Sequence, residues 1–186
     1  MEQVIKNRNF KIITLMNVLG IFSLLSCSSI PKGVTAVKSF DKAKYLGKWY
    51  EIARMDFRFE RNLNNTTADY SLNADGKSIK VLNRGFDYTT HKWKEAIGKA
   101  KFVGNETTAM LKVSFFGPFY SGYNVIAIDS EYRYALVTGK NRNYLWILSR
   151  ETTIPETIKR EYLALAEKSG FKTSELVWVE HNNSKE

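Results

Sequence analysis

Very few residues in this 186-residue sequence are of the types that carry covalent or metal chemistry. It contains one cysteine, Cys27, and two histidines, His91 and His181, that lie far apart. A zinc site needs several clustered Cys, His or carboxylate ligands, and the sequence has neither a Gly-rich phosphate loop nor a nucleophile elbow. These patterns argue against an enzyme, and they predict neither a metal nor a cofactor.

Cys27 follows a leader that is typical of exported proteins. Three cations in the first eleven residues precede the apolar run 12–25, which is shorter than a typical transmembrane helix. An ordinary signal peptide with an incidental cysteine is one interpretation. The end of the run, "LLSC", instead resembles a bacterial lipoprotein signal, in which a small residue such as Ser26 directly precedes the cysteine.

The resemblance to lipoprotein signals implies where the mature protein begins and where it resides. Residues 1–26 would be removed, and Cys27 would become a lipidated N-terminus. In such signals an aspartate after the cysteine marks retention in the inner membrane, so Ser28 implies the outer membrane. We therefore expect a lipid-anchored protein of the outer membrane that faces the periplasm.

Cysteine usage and charge restrict the partners of the domain. With Cys27 at its start, the mature chain has no internal disulfide, so packing and strand pairing must stabilise it. The formal charge is +9, and the leader contributes three cations and Glu2, which leaves +7 for the mature chain. Basic domains often bind nucleic acid, but an exported lipoprotein meets anionic lipid headgroups first. Solvated charges that only maintain solubility are the other interpretation.

Short strand-like runs separated by turn signals occupy most of the chain after a polar segment. Residues 27–39 are expected to form the lipidated end and a tether, 40–182 the folded domain, and 183–186 a polar tail. The strand-like runs span 46–55, 66–72, 77–87, 92–103, 108–116, 123–129, 134–139 and 144–150. Such spacing predicts an antiparallel sandwich or an up-and-down barrel.

An amphipathic helix follows the last of these runs. Apolar Ile158, Tyr162 and Leu165 recur at helical spacing, and a final apolar strand is predicted at 175–180. The helix must cover its apolar face, and alternate residues of the run 144–150 are apolar. We expect the helix to pack on the outside of the sheet at this run.

Three segments carry a resemblance to a known family, the lipocalins. The stretch "FDKAKYLGKWYEIAR" resembles their first signature, "NVIAIDSEYRYALV" the second and "YLWILSR" the third, in the family's order and spacing. The similarity covers roughly residues 30 to 180 and extends to the bacterial outer-membrane members. It implies an all-β fold: an eight-stranded antiparallel up-and-down β-barrel with a C-terminal α-helix packed outside and a short final strand.

The resemblance also implies structural roles for the signature residues. Trp49 would plug the closed end of the barrel with Arg150 lying across its ring, a cation–π pair of about 0.5–2 kcal/mol. Gly47 would leave room for the chain to cross that end. Asp129 and Tyr132 stand at the marked positions of the second signature.

An eight-stranded barrel can enclose one small ligand, and strand alternation suggests which side chains would contact it. Ala96 and Gly98 belong to a file of small residues that would make room for the ligand, and aromatic Tyr120 and Trp146 suit the wet rim of a pocket. The full set of expected ligand contacts is Ala53, Tyr70, Val81, Asn83, Ala96, Gly98, Phe115, Tyr120 and Trp146. Plain core packing is the alternative for each of them.

The function implied by the resemblance is storage or transport of fatty acids or lysophospholipids for maintenance of the outer membrane. A homodimer is possible, and no nucleic-acid partner is expected because the leader and the signatures argue against a nucleic-acid-binding barrel. Two alternatives stay open: a lipocalin-type enzyme that acts on a lipid, and a carrier of another small hydrophobic ligand. The known thiol-dependent isomerases of the family need a cysteine that this domain lacks.

The lipoprotein signal yields a direct prediction. Cys27→Ala removes the only thiol that can be lipidated, so cells should accumulate precursor or soluble protein instead of the anchored form. Metabolic labelling with palmitate measures this, with the parent chain as the control. A palmitate label that persists on the Cys27→Ala chain contradicts the lipoprotein interpretation.

Overall fold

A computed structural model describes residues 29–182, so the leader, Cys27 and the tail 183–186 lie outside the described residues. The elements are α1 Lys42–Tyr45, β1 Gly47–Met55, β2 Leu63–Leu72, β3 Ile79–Asp87, β4 Lys92–Phe102, β5 Met110–Phe116, β6 Phe119–Ile128, β7 Tyr134–Thr138, β8 Leu145–Ser149, α2 Glu156–Lys168 and β9 Leu176–Trp178. Between residues 29 and 182, no helix is long and apolar enough to cross a membrane.

The strands β1 to β8 close into an up-and-down barrel. Each pairs antiparallel with its neighbour in sequence, and β1 pairs with both β2 and β8. The first half of β1 pairs with β2, whereas its last residues, Ala53 to Met55, pair with the short β9. The predicted barrel, outer helix and final strand are therefore confirmed. The predicted loop 117–122 is mostly strand, because β6 already begins at Phe119.

Alternation along the strands produces two separate cores. One lies inside the barrel around Trp49, and the other lies between the outer face of the sheet and α2. Leu145 and Ile147 of β8 are fully buried in the outer core, as their apolar alternation predicts. Tyr162 of α2 anchors the helix, because its hydroxyl donates a hydrogen bond of 2.9 Å to the carbonyl of Tyr134.

A β-bulge in β1 changes which residues face the interior. Glu51 pairs with Leu148 and Ala53 with Ile147, so one extra residue of β1 lies between these pairs. After this bulge Ala53 faces outward, fully buried in the core beneath α2. The expectation that Ala53 contacts a ligand is wrong, because simple alternation does not anticipate an inserted residue.

Residues 29–39 run along the outside of the barrel and form what we call the N-terminal strap. Val37 donates its N–H to the carbonyl of Val125 and accepts a hydrogen bond from the N–H of Ala109, both at 2.9 Å. Further along, the side chain of Asn124 donates to the carbonyl of Ser29 at 2.8 Å. This part of the expected tether therefore belongs to the folded domain.

Arg150 holds the closed end of the barrel together. Its guanidinium lies 3.9 Å from the centre of the Trp49 ring. It also donates hydrogen bonds to five backbone carbonyls, those of Lys44, Tyr45, Leu46, Lys48 and Tyr132. Gly47 permits this crossing, because its φ of +94° lies in a region that other residues rarely adopt.

The second signature segment fixes the turn between β6 and β7 at the same end. The carboxylate of Asp129 accepts hydrogen bonds from the N–H groups of Arg133 and Tyr134, at 2.7 and 2.6 Å. Tyr132 reaches across the end, where its hydroxyl accepts a hydrogen bond of 2.7 Å from the N–H of Asp41. These contacts tie α1 to the base of the barrel.

The closed-end contacts predict a large stability effect at Arg150. Arg150→Ala should lower the free energy of unfolding by about 3 kcal/mol, because hydrogen bonds to a charged group contribute about 1.5–3 kcal/mol each and do not simply add. Denaturant unfolding measures the change. Arg150→Lys is the control, since it keeps the charge but loses the planar fork and should be intermediate. An Arg150→Ala variant with parental stability but lost ligand binding would contradict the structural assignment.

Candidate functional site

The barrel encloses a cavity of about 570 Å³. It lies above the Trp49 plug and opens at the opposite end, between the loop 56–62, the β5–β6 turn and the loop 139–144. The walls are mainly apolar and come from all parts of the barrel: Ala68, Val81, Ala100, Leu111, Val113, Phe115 and Leu148. This arrangement provides a ligand-sized site inside the barrel.

Three tyrosines form a hydrogen-bonded group in the depth of the cavity. The hydroxyl of Tyr123 lies 2.6 Å from that of Tyr45 and 2.7 Å from that of Tyr70. Burial is the main cause that raises the pKa of each phenol above its usual value. The group is therefore uncharged at neutral pH, and its polar atoms satisfy one another, so the floor of the cavity remains suited to an apolar ligand.

A cluster of charged side chains lies in the upper wall. Arg54 is 2% exposed and donates to the carboxylate of Glu51 at 2.8 Å. It also donates to the backbone carbonyls of Glu60 and Leu63, at 2.6 and 3.0 Å. The indole N–H of Trp146 donates to the carboxylate of Glu60 at 3.1 Å. The cluster thus joins β1, β8 and the loop 56–62.

The two carboxyl groups of this cluster are shifted toward their protonated forms. Burial raises the pKa of Glu60 well above its ordinary value, and the charge of Glu51 raises it further. Burial also raises the pKa of Glu51, but the nearby Arg54 guanidinium opposes this shift. The neutral form is therefore favoured more strongly at Glu60, whereas the contact with Arg54 favours the ionised form of Glu51.

The structure brings most of the predicted contact residues to the cavity. Those that line it are Tyr70, Val81, Asn83, Ala96, Phe115, Tyr120 and Trp146. Tyr120 lies at the edge, where its ring is also approached by the ammonium groups of Lys101 and Lys112, at 6.0 and 5.2 Å from its centre.

Gly98 does not provide the open space that was expected. A Cβ atom on Gly98 would lie 2.8 Å from the ring of Phe115, which fills the position opposite the glycine. The expectation that Gly98 contacts the ligand is therefore wrong. The sequence of one strand does not show that a side chain of the neighbouring strand, here Phe115, fills the space beside a glycine. The Phe115 ring lines the cavity in its place.

Several lining residues are not indicated by strand alternation. Glu51 shares the face of Trp49 in β1, so for this residue strand alternation does indicate that its side chain points inward. Phe57, Phe59 and Glu60 come from the loop 56–62, which has no strand period that would have indicated their direction. Among the described residues, no group of three or more His, Cys, Asp or Glu could hold a metal ion.

An antiparallel barrel of eight strands that is plugged at one end and encloses an apolar cavity defines a class of proteins that hold one small hydrophobic molecule. The model of the Lipocalin-like domain matches residues 40–181. The chain therefore belongs to the lipocalin family, and the resemblance of its three signature segments is confirmed.

Similar proteins add the cellular location. Outer membrane lipoprotein Blc of Citrobacter freundii is 55% identical over 164 residues, which cover 87% of this chain and 92% of the relative. The protein of the same name from Escherichia coli (strain K12) is 54% identical over 165 residues, covering 88% and 93%. These relatives place the chain among the outer-membrane lipoproteins.

Solved structures support the fold alone. Insecticyanin from the tobacco hornworm Manduca sexta superposes with a TM-score of 0.67 at 18% identity, covering 83% of this chain and 88% of that one.

The raised pKa of Glu60 predicts how stability depends on pH. A raised carboxyl pKa stabilises the folded state fully below the pKa of the unfolded chain, near 4.5, and this contribution is lost as pH rises through the folded-state pKa. Glu60→Gln mimics the neutral carboxyl group, so the folded state of this variant should lose less stability as pH rises. It should therefore match the parent melting temperature near pH 4 and exceed it at neutral and alkaline pH.

Thermal melts across this pH range measure the difference. Glu51→Gln is the matched control, because it removes the nearer charge from buried Arg54 and should destabilise by about 3–5 kcal/mol at neutral pH. A Glu60→Gln variant that melts below the parent at neutral pH would show that Glu60 is ionised there.

Proposed function

We propose that this lipocalin stores or carries single-chain lipids with an anionic headgroup, namely fatty acids or lysophospholipids, for maintenance of the outer membrane. The observation that supports this most directly is the mainly apolar cavity of about 570 Å³ inside the barrel. Ligand cavities in proteins commonly have volumes of about 300–1,000 Å³. Each buried CH₂ group contributes about 0.8 kcal/mol, so even a partly enclosed acyl chain binds usefully.

Charges at the opening favour an anionic headgroup. Lys94 and Lys140 both line the upper part of the cavity. Lys94 is held by Asp87 at 2.6 Å, and Lys140 lies in the loop between β7 and β8. Burial raises the pKa of Glu60, and this shift favours the neutral carboxyl, which would not repel an anionic ligand. Charge-assisted hydrogen bonds from these cations to a phosphate or carboxylate would orient the headgroup outward and the acyl chain toward the tyrosines.

A polar atom in the cavity wall favours lysophospholipids over fatty acids. The side-chain oxygen of Asn83 has no hydrogen-bond partner among the described residues, although Asn83 lines the cavity. Buried polar atoms are costly when unpaired. The glycerol hydroxyl of a lysophospholipid would supply a donor for this oxygen, whereas an ionised fatty acid has none to offer.

The proposed role joins this site to the membrane. Lipidation of Cys27 would hold the protein on the periplasmic side of the outer membrane, next to the source of single-chain lipids. Carrier function needs no catalytic group, and the proposal assigns none. Glu51 and Arg54 serve instead to hold the cavity wall.

Blocking the cavity tests the proposal. Ala68→Phe adds a ring to the cavity wall, so affinity for lysophosphatidylethanolamine should fall at least about tenfold, which corresponds to about 1.4 kcal/mol. Overpacking typically costs only about 1–3 kcal/mol of stability, and a cavity absorbs part of that cost. Titration followed by the fluorescence of Trp146, which lines the cavity, measures binding.

Ser71→Phe is the matched control, because it adds the same ring to the exposed end of the same strand. It should bind as the parent does. Oleate and retinol complete the panel of ligands. Parental affinity of a folded Ala68→Phe variant, or a parent chain that binds retinol but neither single-chain lipid, would contradict the proposal.

A further inference from the structure

The first residue of the N-terminal strap lies beside the mouth of the cavity. The carbonyl of Ser29 lies directly over Gly122, where a Cβ atom would collide with it, and the Cα of Lys140 lies next to the same position. Gly122 is three residues from the start of β6, and Lys140 belongs to a loop at the open end. The strap therefore runs from the open end to the closed end, where the N–H of Phe40 donates a hydrogen bond to the carbonyl of Thr107.

This course of the strap limits where the anchor can be. Cys27 precedes Ser29 by two residues, and two peptide units span at most about 7 Å. A lipid on Cys27 must therefore enter the membrane close to the mouth of the cavity. A free tether of a dozen residues would have allowed any orientation, but the docked strap does not.

The rim of the mouth exposes large aromatic side chains. Phe116 and Phe119, at the tip of the β5–β6 hairpin, are 70% and 79% exposed, and Phe59 in the opposite loop is 63% exposed. The rings of Phe59 and Phe116 lie 6.2 Å apart, so the two sides of the mouth meet there. Exposed apolar patches of this kind mark interaction sites.

A cation lies over one of these rings, and two others lie beside Tyr120, the residue that follows Phe119. The guanidinium of Arg58 lies 4.7 Å from the centre of the Phe59 ring, and Lys101 and Lys112 flank Tyr120 on the outer wall. Aromatic rings bordered by Lys and Arg match the two layers of an anionic phospholipid surface, since rings enter the interface and cations meet the phosphates.

We infer that the mouth of the barrel docks on the anionic phospholipid surface that holds the N-terminal anchor, with the rings of Phe116 and Phe119 in the headgroup layer. The inference rests on the proposed function for its ligand and on Cys27 for its anchor. It adds a direction to both: the cavity opens onto the membrane, so a single-chain lipid passes between bilayer and barrel without crossing water.

Single-cysteine labelling tests this orientation. Lipidation consumes the thiol of Cys27, so an introduced cysteine in the mature lipoprotein can be labelled alone with an environment-sensitive dye. Gly117→Cys places the dye at the tip of the hairpin, where a Cβ meets no other atom. Lys77→Cys is the control, because it is exposed in the β2–β3 turn at the closed end. Both proteins are reconstituted into vesicles of phosphatidylethanolamine and phosphatidylglycerol that contain brominated lipids.

The expected result is quenching of the Gly117→Cys dye by brominated lipid that exceeds the quenching at Lys77→Cys several-fold. Equal quenching at the two positions, or stronger quenching at Lys77→Cys, overturns the inference, as does a dye found on Cys27 itself. Titration of the same samples with lysophosphatidylethanolamine, followed by Trp146 fluorescence, tests the proposed function separately. If the expected quenching is seen but lysophosphatidylethanolamine does not bind, the proposed function is contradicted and the inferred orientation is still supported.

Discussion

The contact between Arg150 and Trp49 is the constraint on which the rest of the barrel depends. One guanidinium stacks on the indole at 3.9 Å and binds five carbonyls from α1, the start of β1 and the β6–β7 turn. Because those segments are far apart in the sequence, a single side chain closes one end of the barrel. A barrel closed at one end can hold an apolar molecule away from water, whereas one open at both ends would let water through.

The buried polar side chains also connect several segments at once. Arg54 would be costly to bury alone, and a buried ion pair is weak evidence for stability in itself. Here Arg54 also caps the carbonyls of Glu60 and Leu63, so it fastens the loop 56–62 to β1. Trp146 adds a bond from β8 to the same loop. The cluster thus shapes one side of the entrance as well as the wall below it.

The sequence was sufficient for the elements and the closed end but not for every lining residue. Gly47, Trp49 and Arg150 occur in short motifs, and the period of the strands indicated the inward faces of Tyr70, Val81 and Trp146. The exceptions have physical causes. A β-bulge turned Ala53 outward, the ring of Phe115 filled the gap at Gly98, and the loop 56–62 has no period to interpret. Composition predicts a linker for residues 29–39, because it does not reveal that their backbone groups bond distant backbone and side-chain partners.

The strap has a consequence for how the chain folds. Its partners are far away in sequence: Ser29 bonds Asn124, 95 residues later, and Lys32 bonds Arg142, 110 residues later. Contacts of such long range form slowly, because the loop they close must first be ordered. Residues 29–39 precede their partners in the chain, and they acquire a docking site only when β5, β6 and the loop after β7 have formed. Docking of the strap therefore requires that this side of the barrel is already in place.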